Sequence, residues 1–162
     1  MDDLEWFVAH TRPRCEKKLL DWCQREGYEA TLPCYQTEHK YRGKIARFEK
    51  PLFPGYLFLK LREGQSRKVS QSDYVARVLT VVDQEVFAHQ LTDILEALEK
   101  CSDIQVVPEI GEGSRVRVKH GPLRGMEGWV EKRHGMSTVL FRLDFIGQAA
   151  AVRLEAWELE PA

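Results

Sequence analysis

The sequence predicts an α+β domain followed by a small all-β barrel. Three observations carry this expectation. Strand-like and helix-like periodicities alternate as β-α-β-β-β-α over the first hundred residues. Helical periodicity is then lost, and short runs with a period of two follow one another from Arg115 to Leu154. Within the first hundred residues lies Pro51-Leu-Phe-Pro-Gly-Tyr-Leu-Phe58, a turn with two prolines and a glycine that feeds an alternating segment.

In chain order, Glu5–His10 reads as a strand. Thr11 is placed to cap a helix with Pro13 early in it, and Cys15, Leu19, Trp22 and Cys23 recur at helical spacing up to Gly27. Tyr28–Gln36 is a second strand that Pro33 bends or confines to an edge. A hairpin follows with its tip at Tyr41-Arg42-Gly43-Lys44. Tyr56–Leu61 is a further strand, Arg62–Asp73 a polar loop, and Tyr74–Val82 a strand by its valines. Asp83 caps a helix over Gln84–Cys101, whose Phe87, Leu91, Ile94, Leu95 and Leu98 form one apolar stripe. Expected boundaries are 1–101 for the first domain, 102–112 for a linker and 113–162 for the barrel, with turns at Gly121–Gly125 and Arg133–Met136.

Composition narrows the function. The 162 residues carry a net charge of −1, too little positive charge for a protein that coats nucleic acid. Charge is local instead: Lys40, Arg42, Lys44, Arg47 and Lys50 face only Glu38 and Glu49 in the hairpin, whereas 83–112 is acidic. No apolar run has membrane-spanning length and the N-terminus is acidic, so a cytoplasmic protein without membrane attachment is expected. Cys15, Cys23, Cys34 and Cys101 lack metal-ligand spacing and read as reduced thiols. Neither a nucleophile with its base, a carboxylate pair nor a phosphate loop is present, so neither an enzyme nor a cofactor is expected.

Two motifs resemble those of one family. Pro51–Phe58 is similar to the signature of the NusG family of transcription elongation factors, with Leu52 and Leu57-Phe58 nearer to its specialised RfaH-like paralogues. Val116-x-Val-x-x-Gly-Pro-Leu-Arg-Gly-x-x-Gly-x-Val130 resembles the KOW motif, a five-stranded barrel in that family's C-terminal domain. The resemblance covers Trp6–Glu160. It implies a monomeric, non-enzymatic elongation and antitermination factor that suppresses pausing.

The resemblance also implies sites. Trp6, Phe7, His10, Phe53, Tyr56 and Phe58 would surround a pocket for the β′ clamp helices of RNA polymerase, although on residue type alone these rings serve equally as core. Gln65, Ser66, Arg67 and Lys68 would form the loop that meets the β gate loop. Arg12, Lys18, Arg25, Arg42, Lys44 and Arg47 would face non-template DNA, and as solvated charges need no role. Phe145, Ile146, Gly147 and Gln148 would form an exposed loop for a small-subunit ribosomal protein or Rho. The alternative is a KOW-containing RNA-binding or ribosome-associated protein that never meets polymerase and works through Arg115, Arg117, Lys119 and Arg124.

A helical alternative for the C-terminal segment would have to contain Pro122 and three glycines between His120 and Gly128. That costs on the order of 6 kcal/mol, comparable to the stability of a small domain. A constitutive barrel on a flexible linker, with the polymerase face open, is therefore expected.

Overall fold

The computed structural model describes residues 3–101, 104–108, 113–133 and 136–162. Its elements are β1 (Glu5–Thr11), α1 (Glu16–Arg25), β2 (Glu29–Thr31), β3 (Cys34–Tyr41), β4 (Lys44–Pro51), β5 (Tyr56–Leu61), α2 (Glu63–Ser70), β6 (Val75–Thr80), α3 (Gln84–Lys100), β7 (Ile104–Pro108), β8 (Ser114–Val118), β9 (Glu127–Arg133), β10 (Met136–Leu143), β11 (Gln148–Arg153) and β12 (Leu159–Pro161). By contacts the chain forms two units. One runs up to Cys34 and resumes over Glu49–Ala88; the other holds Tyr35–Phe48 and His89 onward.

The first unit is built on an antiparallel sheet in the order β2-β5-β1-β6. Alternation along β1 and β5 sends Phe7, Ala9, Leu57, Leu59 and Leu61 to one face, where they meet Leu19 and Cys23 of α1 and Val69 of α2. The opposite face carries Trp6, Val8, His10, Tyr56 and Phe58. Because both faces are covered, β5 reads as an almost unbroken apolar run rather than a clean alternation.

The proline-rich block is a type II turn. Pro54 presets one dihedral, Gly55 adopts φ +88°, and the Tyr56 N–H donates to the Phe53 carbonyl at 3.2 Å. Two further backbone bonds hold it: Thr11 N–H to the Gly55 carbonyl at 2.8 Å, and Leu52 N–H to the Pro33 carbonyl at 2.8 Å.

Several local expectations are corrected. Thr11 does not cap the first helix: β1 continues through it, Arg14 takes a left-handed φ of 63°, and α1 starts only at Glu16. Pro33 separates two strands of different sheets, β2 and β3, rather than bending one. The polar stretch after β5 is helical. In α2 the Gln65 side chain accepts from the Arg62 N–H at 3.0 Å, and the Ser66 hydroxyl donates to the Glu63 carbonyl at 2.6 Å. Buried Val69 is its anchor. Asp83 does cap α3, its carboxylate accepting from the Val86 N–H at 3.1 Å.

In the second unit β3 and β4 form a two-stranded ribbon, and a six-stranded antiparallel sheet runs β12-β8-β9-β10-β11-β7. Strands over 114–118, 127–133, 136–143 and 148–153 follow the expected all-β pattern. Where a linker is expected over 102–112, residues 104–108 instead pair with β11 as β7, because Ile104-Gln-Val-Val supplies β-branched residues to that sheet's edge. The remaining linker residues 102–103 and 109–112, and 134–135 of the expected turn, lie outside the described residues. Gly128 lies where a Cβ would sit 2.7 Å from Val139 Cγ1 and 2.8 Å from the Leu140 carbonyl oxygen, so the β9–β10 pairing demands glycine there.

Candidate functional site

The face of the first sheet that carries Trp6, His10 and Tyr56 offers the candidate site. His10 and Tyr56 are direct partners in the β1–β5 register, and their rings stack at 5.3 Å with planes 26° apart. Trp6 packs on Phe87 of α3 at 5.6 Å, and Lys60 Nζ stands 5.8 Å from its ring centroid. Gln84 fastens α3 to this strand, its side-chain amide donating to the Trp6 carbonyl at 2.9 Å and its carbonyl oxygen accepting from the Trp6 N–H at 2.6 Å. Trp6, His10 and Tyr56 are all half-buried.

Phe53 and Phe58 do not share that exposure. They are 1% and 0% exposed and form an edge-to-face chain with Phe87, Phe53 to Phe58 at 6.1 Å and Phe58 to Phe87 at 5.6 Å. Phe7 is also core, on the other side of the sheet under α1. Of the six rings that the sequence groups into one pocket, three therefore present an edge, two form a floor, and Phe7 belongs elsewhere. Gln84 and Phe87 are the residues that sequence reasoning missed. Their signal lay in the first turn of a helix assigned wholly to packing.

Beside His10 opens a groove lined by Thr11, Arg12, Pro13, Arg14, Glu16, Pro54, Gly55 and Ala76. Glu16 is buried in it and the Thr11 hydroxyl makes no hydrogen bond.

The expected gate-loop residues sit on α2. Arg67 and Lys68 are exposed, whereas Gln65 and Ser66 are half-buried and bonded back onto the helix start. Arg12 lies in the turn before α1, and Lys18 and Arg25 are exposed on α1. Arg42 and Lys44 are exposed at the ribbon tip, while Arg47 pairs with Glu38 at 3.2 Å.

In the C-terminal sheet, Phe145 and Ile146 are half-buried, not exposed, in a 3-10 turn over Asp144–Ile146 that Gly147 ends at φ 66°. Gln90 holds the start of that turn. Its amide donates to the Asp144 carboxylate at 2.8 Å and its carbonyl accepts from the Asp144 N–H at 3.0 Å. Arg115 and Arg117 both engage Glu127, at 2.9 and 2.7 Å, and Arg117 also lies 3.8 Å from Glu160. These bonds hold the Glu127 carboxyl below its usual range, Arg117 first.

Burial pushes the Cys23 thiol up to about 11, with the Glu26 charge adding to it. All four cysteines are free. Among the described residues no cluster of His, Cys, Asp or Glu could hold a metal ion, and no helix is long and apolar enough to cross a membrane.

A half-exposed aromatic pair over a buried aromatic floor has the make-up of a binding surface. The comparisons supply the family: that described as transcription termination factor NusG matches residues 4–98, and the chain belongs to it. Its members are non-enzymatic transcription factors. Among solved structures, NusG of Thermotoga maritima, from a study of its domain interaction, resembles the chain with 18% identity and a TM-score of 0.51, covering 98% of this chain and 97% of that one. The MjSpt4:Spt5 complex aligns over 97% of this chain and 96% of that one, with 15% identity and a TM-score of 0.30. No curated protein sequence matches the chain.

Proposed function

We propose that this protein is an elongation and antitermination factor that docks on the β′ clamp helices of RNA polymerase through Trp6, His10 and Tyr56. The observation that carries the reading is the stacked His10–Tyr56 pair, half-exposed on a face whose floor is the buried Phe53–Phe58–Phe87 chain. Rigid aromatic edges over a packed floor suit an apolar helix surface, and a central anchor of this kind contributes about 2 kcal/mol.

Arg67 and Lys68 would supply a contact with the β gate loop from a helix rather than a loop. With both contacts made, the factor bridges the cleft and favours the closed, unpaused state by its higher affinity for it. Arg12, Lys18, Arg25, Arg42, Lys44 and Arg47 would line the path of non-template DNA. The C-terminal sheet, closed as a KOW barrel, would recruit a small-subunit ribosomal protein or Rho at Phe145–Gln148. The factor works as a cytoplasmic monomer without a cofactor. Nearness to the RfaH-like branch rests on Leu52, Leu57 and Phe58, which are all core, so the pattern reports packing as much as specialisation.

The RNA-binding alternative is less favoured because Arg115 and Arg117 are already paired with Glu127. A pull-down with isolated β′ clamp helices tests the choice. Wild type is retained and Tyr56→Ala is not; wild type passing through unretained abandons the polymerase reading.

A further inference from the structure

We propose that one face of the β3–β4 ribbon is a stacking platform for single-stranded nucleic acid. The proposal deepens the nucleic-acid side of the function above and concerns the bases, where the basic residues already discussed concern phosphates.

The ribbon turns at Arg42 and Gly43, with φ of 49° and 78°, the left-handed pair of a type I′ turn. Cross-strand contacts then assign its faces. Glu38 pairs with Arg47, and the His39 ring meets Phe48 at 5.6 Å. By alternation Thr37, His39, Tyr41, Lys44, Ala46 and Phe48 share one face, and Glu38, Lys40, Ile45, Arg47 and Glu49 share the other. Every acidic residue of the two strands thus falls on the face without the rings.

The ring face is open. Tyr41 is 68% exposed and Phe48 49% exposed, His39 is exposed, and the Arg42 guanidinium sits 5.6 Å from the Tyr41 centroid. Exposed rings interleaved with cations and free of carboxylates are the requirement for holding an unpaired strand: each ring offers a base its flat face, while Lys44 and Arg42 meet the phosphates. A duplex keeps its base faces stacked and could use only the cations. A second copy of the same face would bring Arg42 and Lys44 against their own kind, which disfavours self-association.

The test is fluorescence anisotropy of the full-length protein with labelled strands of about 12 nucleotides, as DNA, as RNA and as the matching DNA duplex, without polymerase. Expected is binding of single strands in preference to duplex, weakened about tenfold by Tyr41→Ala or Phe48→Ala, retained by Tyr41→Phe, and unchanged by Ile45→Ala on the opposite face. Preference between DNA and RNA identifies the natural strand. No binding to either single strand, equal affinity for duplex, or equal loss from Ile45→Ala and Tyr41→Ala overturns the proposal, as does a dimer in sedimentation that both ring variants dissolve. Because polymerase is absent, failure here leaves clamp-helix binding standing, and failure of the pull-down leaves the platform standing.

Discussion

His10 and Tyr56 stand opposite each other in the β1–β5 register with stacked rings 5.3 Å apart. Each immobilises the other, so neither has to lose much rotamer freedom when a partner docks. Two residues later on the same strand, Phe58 is fully enclosed. The boundary between half-exposed edge and core therefore falls within β5.

That boundary is measurable. Tyr56→Ala is expected to abolish retention on clamp helices at a stability cost of ~1 kcal/mol. Phe58→Ala is expected to cost about 3–5 kcal/mol by leaving a cavity between Phe53 and Phe87. Chemical denaturation of both variants decides it. Equal destabilisation would make Tyr56 core as well.

Gly128→Ala is expected to destabilise the C-terminal sheet by about 1–3 kcal/mol, because the added methyl meets Val139 and the Leu140 carbonyl. Gly125, at φ +90° with open space around it, should cost only ~1 kcal/mol on the same change. Melting curves that rank the two the other way would place the constraint in the turn rather than in the strand pairing.

Stability should fall as pH rises from 9 toward about 11. The Cys23 thiol keeps its proton in the folded chain up to about 11, against a usual value of 9.0, so over that window the unfolded state ionises first and gains. Below 9 both states hold the proton and the contribution is complete. Urea titrations across this range, compared with Cys23→Ala, should show a loss that the variant lacks. Identical slopes would mean that Cys23 ionises freely.

Gln90→Ala removes both bonds to Asp144. Amide hydrogen exchange over Asp144–Gly147 is expected to accelerate about tenfold, the equivalent of ~1.4 kcal/mol. Unchanged exchange would show that the 3-10 turn holds itself.

Much of this was legible in the chain because the signals were local. Asp83 and the stripe from Phe87 to Leu98 announced α3, and Gly43 announced the ribbon tip. Helix α2 was not legible, since Glu-Gly-Gln-Ser-Arg-Lys-Val-Ser offers one buried anchor, Val69, and no stripe; its helicity rests on side chains bonding its own first turn. The site was half legible. Alternation could place Trp6, His10, Tyr56 and Phe58 on one face, but which of them is covered depends on Phe87, from a helix far along the sequence. Thr11 misled because a capping residue and a strand-ending residue look alike until the left-handed Arg14 is seen.

The pairing of β1 has a consequence for synthesis. Phe7 lies between Leu59 on one side and Thr80 on the other, so β1 is synthesised before either of its sheet neighbours. At about 5–20 residues per second it waits several seconds for β5 and longer for β6. During that interval Trp6-Phe-Val-Ala is an unpaired apolar edge in a nascent chain, whereas the β3–β4 ribbon closes on itself in microseconds. Within this sheet the order of synthesis thus runs against the order of assembly, and β1 is the strand left longest to a chaperone's hold.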